Sequence, residues 1–119
     1  MSKYPAKVAG PQLELHISEE GDAVVVKCAG LLTAENAPAL KNLVRSMIPQ
    51  EERIVLDLRD VSTMDSSGLG AVVSLYVSGK KAKCEIRLVH LSAKVKELLG
   101  LSNLLSVFAD CGNYGVRMP

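Results

Sequence analysis

The stretch that most constrains the fold is Ile54-Val55-Leu56-Asp57-Leu58 followed by Met64-Asp65-Ser66-Ser67-Gly68-Leu69-Gly70. The first run is nearly continuous in apolar residues, as a strand covered on both faces is. Beyond the second, Leu69, Val72, Val73, Tyr76 and Val77 recur at helical spacing, the stripe of a helix laid on a core. Asp65-Ser66-Ser67 therefore sits where a strand ends and a helix begins. Unsatisfied backbone N–H groups point out of a helix N-terminus, and the helix dipole favours negative charge there. A serine at this point serves either as a plain N-cap or as a functional hydroxyl able to carry phosphate. The residues alone leave both readings open, and they do not separate Ser66 from Ser67.

The elements around this unit alternate. Leu13, Leu15 and Ile17 interleave with Glu14, His16 and Ser18, a half-exposed strand with His16 on its polar side. A short charged turn, Glu19 to Asp22, makes the next strand, Ala23–Ala29, antiparallel to it. Leu40, Leu43, Val44, Met47 and Ile48 mark a helix that ends at Pro49. Its start is ambiguous. Thr33 as N-cap puts Pro38 where a hydrogen bond is lost, whereas Asn36 as N-cap puts it in the first turn, so a two-step start is expected. The helix after Ser66 is expected to run to about Ser78 and stop at Gly79. Lys80, Lys81 and Lys83 follow, either a solvated group suited to the helix dipole or a basic docking patch for an acidic partner.

Glu85–Leu91 reads as a fourth strand. Ser92 then caps a short helix with Val95, Leu98 and Leu99 inward and Gly100 as its stop, and Leu104–Phe108 reads as a fifth strand. Met1–Pro11 has no period and is expected to be a flexible lead-in. The order β-β-α-β-α-β-α-β predicts one α/β domain over residues 12–119, a mostly parallel sheet of four to five strands with helices packed on it. The turns holding Thr33, Ser66 and Ser92 should share one sheet edge, where such sheets place their function.

Composition narrows the chemistry. A net charge of +1, with aromatics at 3% and no Trp, offers no footprint for nucleic acid and no base-stacking platform. No apolar run reaches the roughly 18 residues that span a bilayer, and the N-terminus lacks a secretory apolar region. Cys28, Cys84 and Cys111 are scattered and odd in number, which reads as reduced thiols of a cytoplasmic protein, with no metal-ligand spacing. No cofactor or metal is expected. A serine-hydrolase elbow fails because Met64 stands at its first glycine position and only His90 follows. A dinucleotide fingerprint fails because Val73 stands at its third glycine. An aspartyl phospho-acceptor site fails because Asp57 lies inside its strand; either a hydrogen bond near the turn edge or an exposed strand face would account for it. No catalytic constellation is assembled. What remains is a hydroxyl-bearing turn beside small residues, Gly68, Gly70 and Ala71, that let another backbone come close.

At these residues the chain resembles the anti-sigma factor antagonists, the small bacterial form of the STAS domain. Val55-Leu56-Asp57-Leu58, Val61 and Met64-Asp65-Ser66-Ser67-Gly68-Leu69-Gly70 match the central strand and signature turn. Gly30-Leu31-Leu32-Thr33 with Asn36-Ala37-Pro38-Ala39-Leu40 matches the first-helix motif, and Val95–Leu101 with Leu104-Leu105 the later helix and last strand. The resemblance implies a protein that is not an enzyme but a partner switch. The unphosphorylated form binds an anti-sigma factor serine kinase of the histidine-kinase-like ATPase type, phosphorylation of Ser66 releases it, and a serine phosphatase restores binding. It places Thr33, Asp65, Ser66, Ser67, Gly68, Leu69 and Gly70 in the contact. Two departures stand out. Thr33 replaces an acid usual in the family, and no C-terminal helix is legible after Phe108, leaving a sheet face for a partner or a second copy, as in a homodimer. A constitutive scaffold, or a subunit domain of a signalling or lipid-transport assembly, is the alternative.

Overall fold

The computed structural model describes residues 3–101, and the side chains of residues 3–98. The expected fifth strand at Leu104–Phe108, the altered C-terminus and Cys111 lie outside the described residues.

The elements run β1 (Lys7–Ala9), β2 (Leu13–Glu20), β3 (Ala23–Leu32), α1 (Ala37–Met47), β4 (Arg53–Met64), α2 (Ser66–Ala82), β5 (Glu85–Val89) and α3 (Ala93–Leu101). The strands form one sheet in the order β1-β2-β3-β4-β5. β1 and β2, and β2 and β3, pair antiparallel; β3 and β4, and β4 and β5, pair parallel. The sheet is thus mixed rather than mostly parallel. The reason lies in the stretch expected to be a flexible lead-in, which supplies a further antiparallel strand. Tyr4 donates to Glu51 Oε2 at 2.7 Å, and Lys3 Nζ pairs with the same carboxylate at 2.9 Å, anchoring the chain ahead of β1.

The core lies between one face of the sheet and the helices. Leu15, Ile17, Val26, Cys28, Ile54, Leu56 and Leu58 meet Leu40, Val44 and Met47 of α1, and Val72 and Leu75 of α2. The opposite face carries a separate cluster of Val25, Val55 and Val89 that contains no helical residue. Asp57 stands on that second face, half-buried, and its Oδ1 accepts the backbone N–H of Arg59 at 3.0 Å. Both accounts of the interruption in the sequence pattern hold: the residue lies on the second face of the sheet, and its carboxylate takes a backbone hydrogen bond.

β4 is longer than its apolar run suggests. Its pairing with β3 shifts register between Lys27 and Ala29 and again between Gly30 and Leu31. Each shift inserts a residue into β4, so its buried positions step from Leu58 to Val61 to Met64. Bulges of this kind break the two-residue period by which a strand is recognised.

α1 starts in two steps, as expected. Thr33 accepts the N–H groups of Asn36 and Ala37 at 3.0 and 2.7 Å, and Pro38 falls in the first turn, where no bond is lost. Asn36 occupies the N-cap position without capping; its amide donates instead to Leu31 O at 3.2 Å. α2 does not stop at Gly79. It continues to Ala82 and closes on Lys83 in the left-handed conformation, with Cys84 N–H reaching Gly79 O at 2.8 Å. Gly79 is there for packing: a Cβ would lie 2.5 Å from Ile86 Cγ1 and 2.7 Å from Cys84 O. β5 ends at Val89, so His90 lies just past the strand with φ of 54°. Ser92 caps α3, accepting Val95 N–H at 3.3 Å, and the helix runs through Gly100 rather than stopping there.

Candidate functional site

The carboxyl ends of β3 and β4 come level, with Leu32 paired to Met64. The chain leaves β3 into the Thr33–Asn36 turn and leaves β4 into Asp65, so the two turns meet. β5 pairs with β4 only as far as Asp57, seven residues short of Met64. The turn carrying Ser92 is therefore set back, and α3 packs against β4. The three turns leave the same edge of the parallel strands, as expected, but only those of Thr33 and Ser66 come level, and that of Ser92 is set back.

Asp65 joins the two. It is the N-cap of α2, extended in backbone, and its Oδ1 accepts the N–H groups of Ser67 at 2.9 Å and Gly68 at 3.0 Å. Its Oδ2 accepts Ala34 N–H at 3.2 Å, and its own N–H reaches Leu32 O at 3.4 Å. The Gly68 N–H, with those of Ala34 and Ser67, holds this carboxyl below the usual carboxylate range, against a smaller opposing effect of burial. One carboxylate thus ties the start of α2 to the loop before α1.

That arrangement removes one of the two readings of the serines, the plain N-cap. With Asp65 as the cap, Ser66 and Ser67 are the first two helical residues. Both are exposed, and neither hydroxyl is hydrogen-bonded among the described residues. The cap is an acid, so the hydroxyls are free of that duty. A phosphate on Ser66 would find the Ser67 and Gly68 amides already engaged by Asp65, and would sit beside a like charge.

The small residues divide. Gly68 is buried, and a Cβ there would lie 2.0 Å from Leu32 O and 3.0 Å from Met64 Cγ, so its close approach is to its own chain. Ala71 is buried as well, and Leu69 packs partly on the core. Of the three small residues read as a landing place for another backbone, Gly70 alone is exposed with nothing within 4 Å of a Cβ position. Gly70 and Ser67 border a shallow cleft between the starts of α1 and α2, completed by Ala34, Ala37, Pro38, Lys41 and Ala71. Ala34 and Lys41 were not legible as site residues because they carry no motif of their own; Pro38 was legible as part of the first-helix motif but not as a neighbour of the serines, and all three border the cleft because Asp65 docks the two loops. Thr33 is half-buried and contributes its carbonyl to the α1 start; its side chain makes no hydrogen bond among the described residues.

Among the described residues no cluster of His, Cys, Asp or Glu could hold a metal ion, and no helix is long and apolar enough to cross a membrane. Cys28 is buried and its thiol is pushed up to about 12, first by desolvation; Cys84 is buried too and pushed up to about 11.

Comparison with known proteins agrees with this architecture. The STAS domain family matches residues 14–114. The anti-sigma-B factor antagonist of Listeria monocytogenes is 33% identical over 101 residues, covering 80% of this chain and 88% of that protein. An anti-sigma factor antagonist from Mycobacterium paratuberculosis superposes with a TM-score of 0.74 at 20% identity, over 85% of this chain and 87% of that one. The Bacillus cell fate determinant SpoIIAA in its phosphorylated form superposes with a TM-score of 0.65 at 20% identity, over 79% and 86%. The last two likenesses are of fold. With the family match spanning most of the chain, and the Listeria relative one-third identical over four-fifths of it, the chain belongs to the STAS domain family.

Proposed function

We propose that this protein is an anti-sigma factor antagonist that works as a phosphorylation-gated partner switch in the cytoplasm. Unphosphorylated, it binds an anti-sigma factor serine kinase of the histidine-kinase-like ATPase type. The contact is centred on Ser66, Ser67, Gly70 and the cleft beside Pro38 and Lys41, and it keeps the kinase from its sigma factor. The kinase phosphorylates Ser66, contact is lost, and a serine phosphatase restores it. The protein acts by binding and needs no cofactor.

The observation that carries this reading is the exposed Ser66 hydroxyl, free of hydrogen bonds among the described residues, next to a capping acid that already holds the helix amides. A phosphate brings about −1.5 to −2 charges. In a contact surface it must be desolvated beside Asp65, whose carboxylate already holds the Ser67 and Gly68 amides. A penalty of about 4 kcal/mol lowers affinity roughly a thousandfold.

The test is a pull-down from native cell extract with wild-type, Ser66→Ala and Ser66→Asp baits, reading captured proteins and bait phosphorylation by mass spectrometry. The proposal expects a small ATPase-type serine kinase on wild type and Ser66→Ala and its absence from Ser66→Asp. The same scaffold or membrane-assembly partners on all three baits, with Ser66 unmodified, would replace it with the constitutive reading that Thr33 suggests.

A further inference from the structure

The outer face of α2 differs from those of the other helices. From Ser66 to Gly79 the sequence holds no charged residue, whereas α1 presents Lys41 and Arg45 and α3 presents Lys94, Lys96 and Glu97. At about 100° per residue, Ser66, Gly70, Val73, Val77, Lys80 and Lys81 fall within about 100° of arc, a stripe about 22 Å long. The helix buries the opposite side, through Gly68, Ala71, Val72, Leu75 and Gly79. Val73 is half-buried, and Val77 is the exposed large hydrophobic residue among those described, at 45%.

The stripe ends on charge. Lys80, Lys81 and Lys83 are exposed, and no carboxylate among the described residues pairs with them; Lys80 Nζ stands 5.6 Å over the Tyr76 ring. An exposed helix normally carries charge on its solvent side. An uncharged centre with a charged rim is instead the make-up of a surface that another protein covers. From this we infer that the partner contact extends from Ser66 along the whole outer face of α2, and that its far end is read by carboxylates. The occupant is a protein surface with an apolar patch for Val73 and Val77 and a cluster of Asp or Glu placed about 20 Å from the groups that meet Ser66. The inference rests on the proposed kinase partnership and specifies the partner's complementary surface. Ser66 gates the contact at one end, and the lysines steer and orient it from the other.

The experiment titrates the purified kinase recovered in the pull-down against wild type, Ser66→Asp, the double variant Lys80→Glu/Lys81→Glu, Val77→Asp, and the control Lys27→Glu/Lys94→Glu. The control makes the same change of net charge away from the stripe. Circular dichroism melting confirms that each variant is folded. The expected result is that the α2 lysine pair slows association about tenfold at low salt, with the gap narrowing to about twofold near ~0.5 M salt. Val77→Asp weakens binding at both salts, and the control associates within about twofold of wild type. Wild-type association by the α2 lysine variant, or equal slowing by the control, overturns the inference while leaving the Ser66 switch standing. Equal binding by wild type and Ser66→Asp overturns the switch instead.

Discussion

At the scale of the residue, the two glycines of the signature turn do opposite work. Gly68 is held against the Leu32 carbonyl, with no room for a Cβ, while Gly70, two residues on, faces open space. Gly68→Ala must push α2 away from the end of β3, and is expected to cost about 1–3 kcal/mol, in the range of overpacked cores. Gly70→Ala is expected to stabilise the free protein by about 0.5–1 kcal/mol through helix propensity, yet to weaken partner binding by filling the exposed edge of the cleft. Urea melts and a binding titration of the same two variants check both halves. The motif told the reader that small residues were needed here; it did not tell which faced inward. That depends on Met64 and Leu32 lying level, and the level is set by two bulges in β4 that leave no trace in a two-residue period. The same holds for the cap. Asp65, Ser66 and Ser67 are all good N-cap types, and only the backbone shows that the acid takes the duty and leaves the serines free.

At the scale of the element, α2 is fastened at both ends by different means. Its C-terminus closes on left-handed Lys83 with Gly79 packed under it, so the expected stop at Gly79 gave way to packing against Ile86 and Cys84. Its N-terminus depends on the Asp65 carboxylate, whose affinity for protons the folded state lowers, chiefly through the Gly68 N–H. The sign follows from linkage. A carboxyl with a depressed folded value contributes stability that is complete above its unfolded value of about 4. That contribution is lost as pH falls through the lower folded value. Asp65→Asn is therefore expected to melt below wild type at neutral pH, with the gap closing as pH drops below about 4. Thermal melts across that range, with Ser66→Ala tracking wild type throughout, check the assignment. The helices were legible because their apolar stripes are regular. The docking of the α1 loop onto the α2 cap was not, because Ala34 takes part through its backbone N–H alone.

At the scale of the whole molecule, the mixed sheet sets the two turns of β3 and β4 on one edge and holds all the described helices on one face. The alternation of elements made an α/β domain readable. The antiparallel β1 was missed because Lys7–Ala9 is too short for any period to show, and it tipped the balance of the sheet. The Ser66 hydroxyl stands outside the core, so phosphate is expected to change what binds rather than what folds. The most direct measurement is the affinity of the partner kinase for protein fully phosphorylated on Ser66, set against the unphosphorylated form, with the melting temperature of each recorded. A loss of affinity of roughly a thousandfold with nearly equal melting temperatures is the predicted result. Equal affinities for the two forms would contradict the switch at its centre.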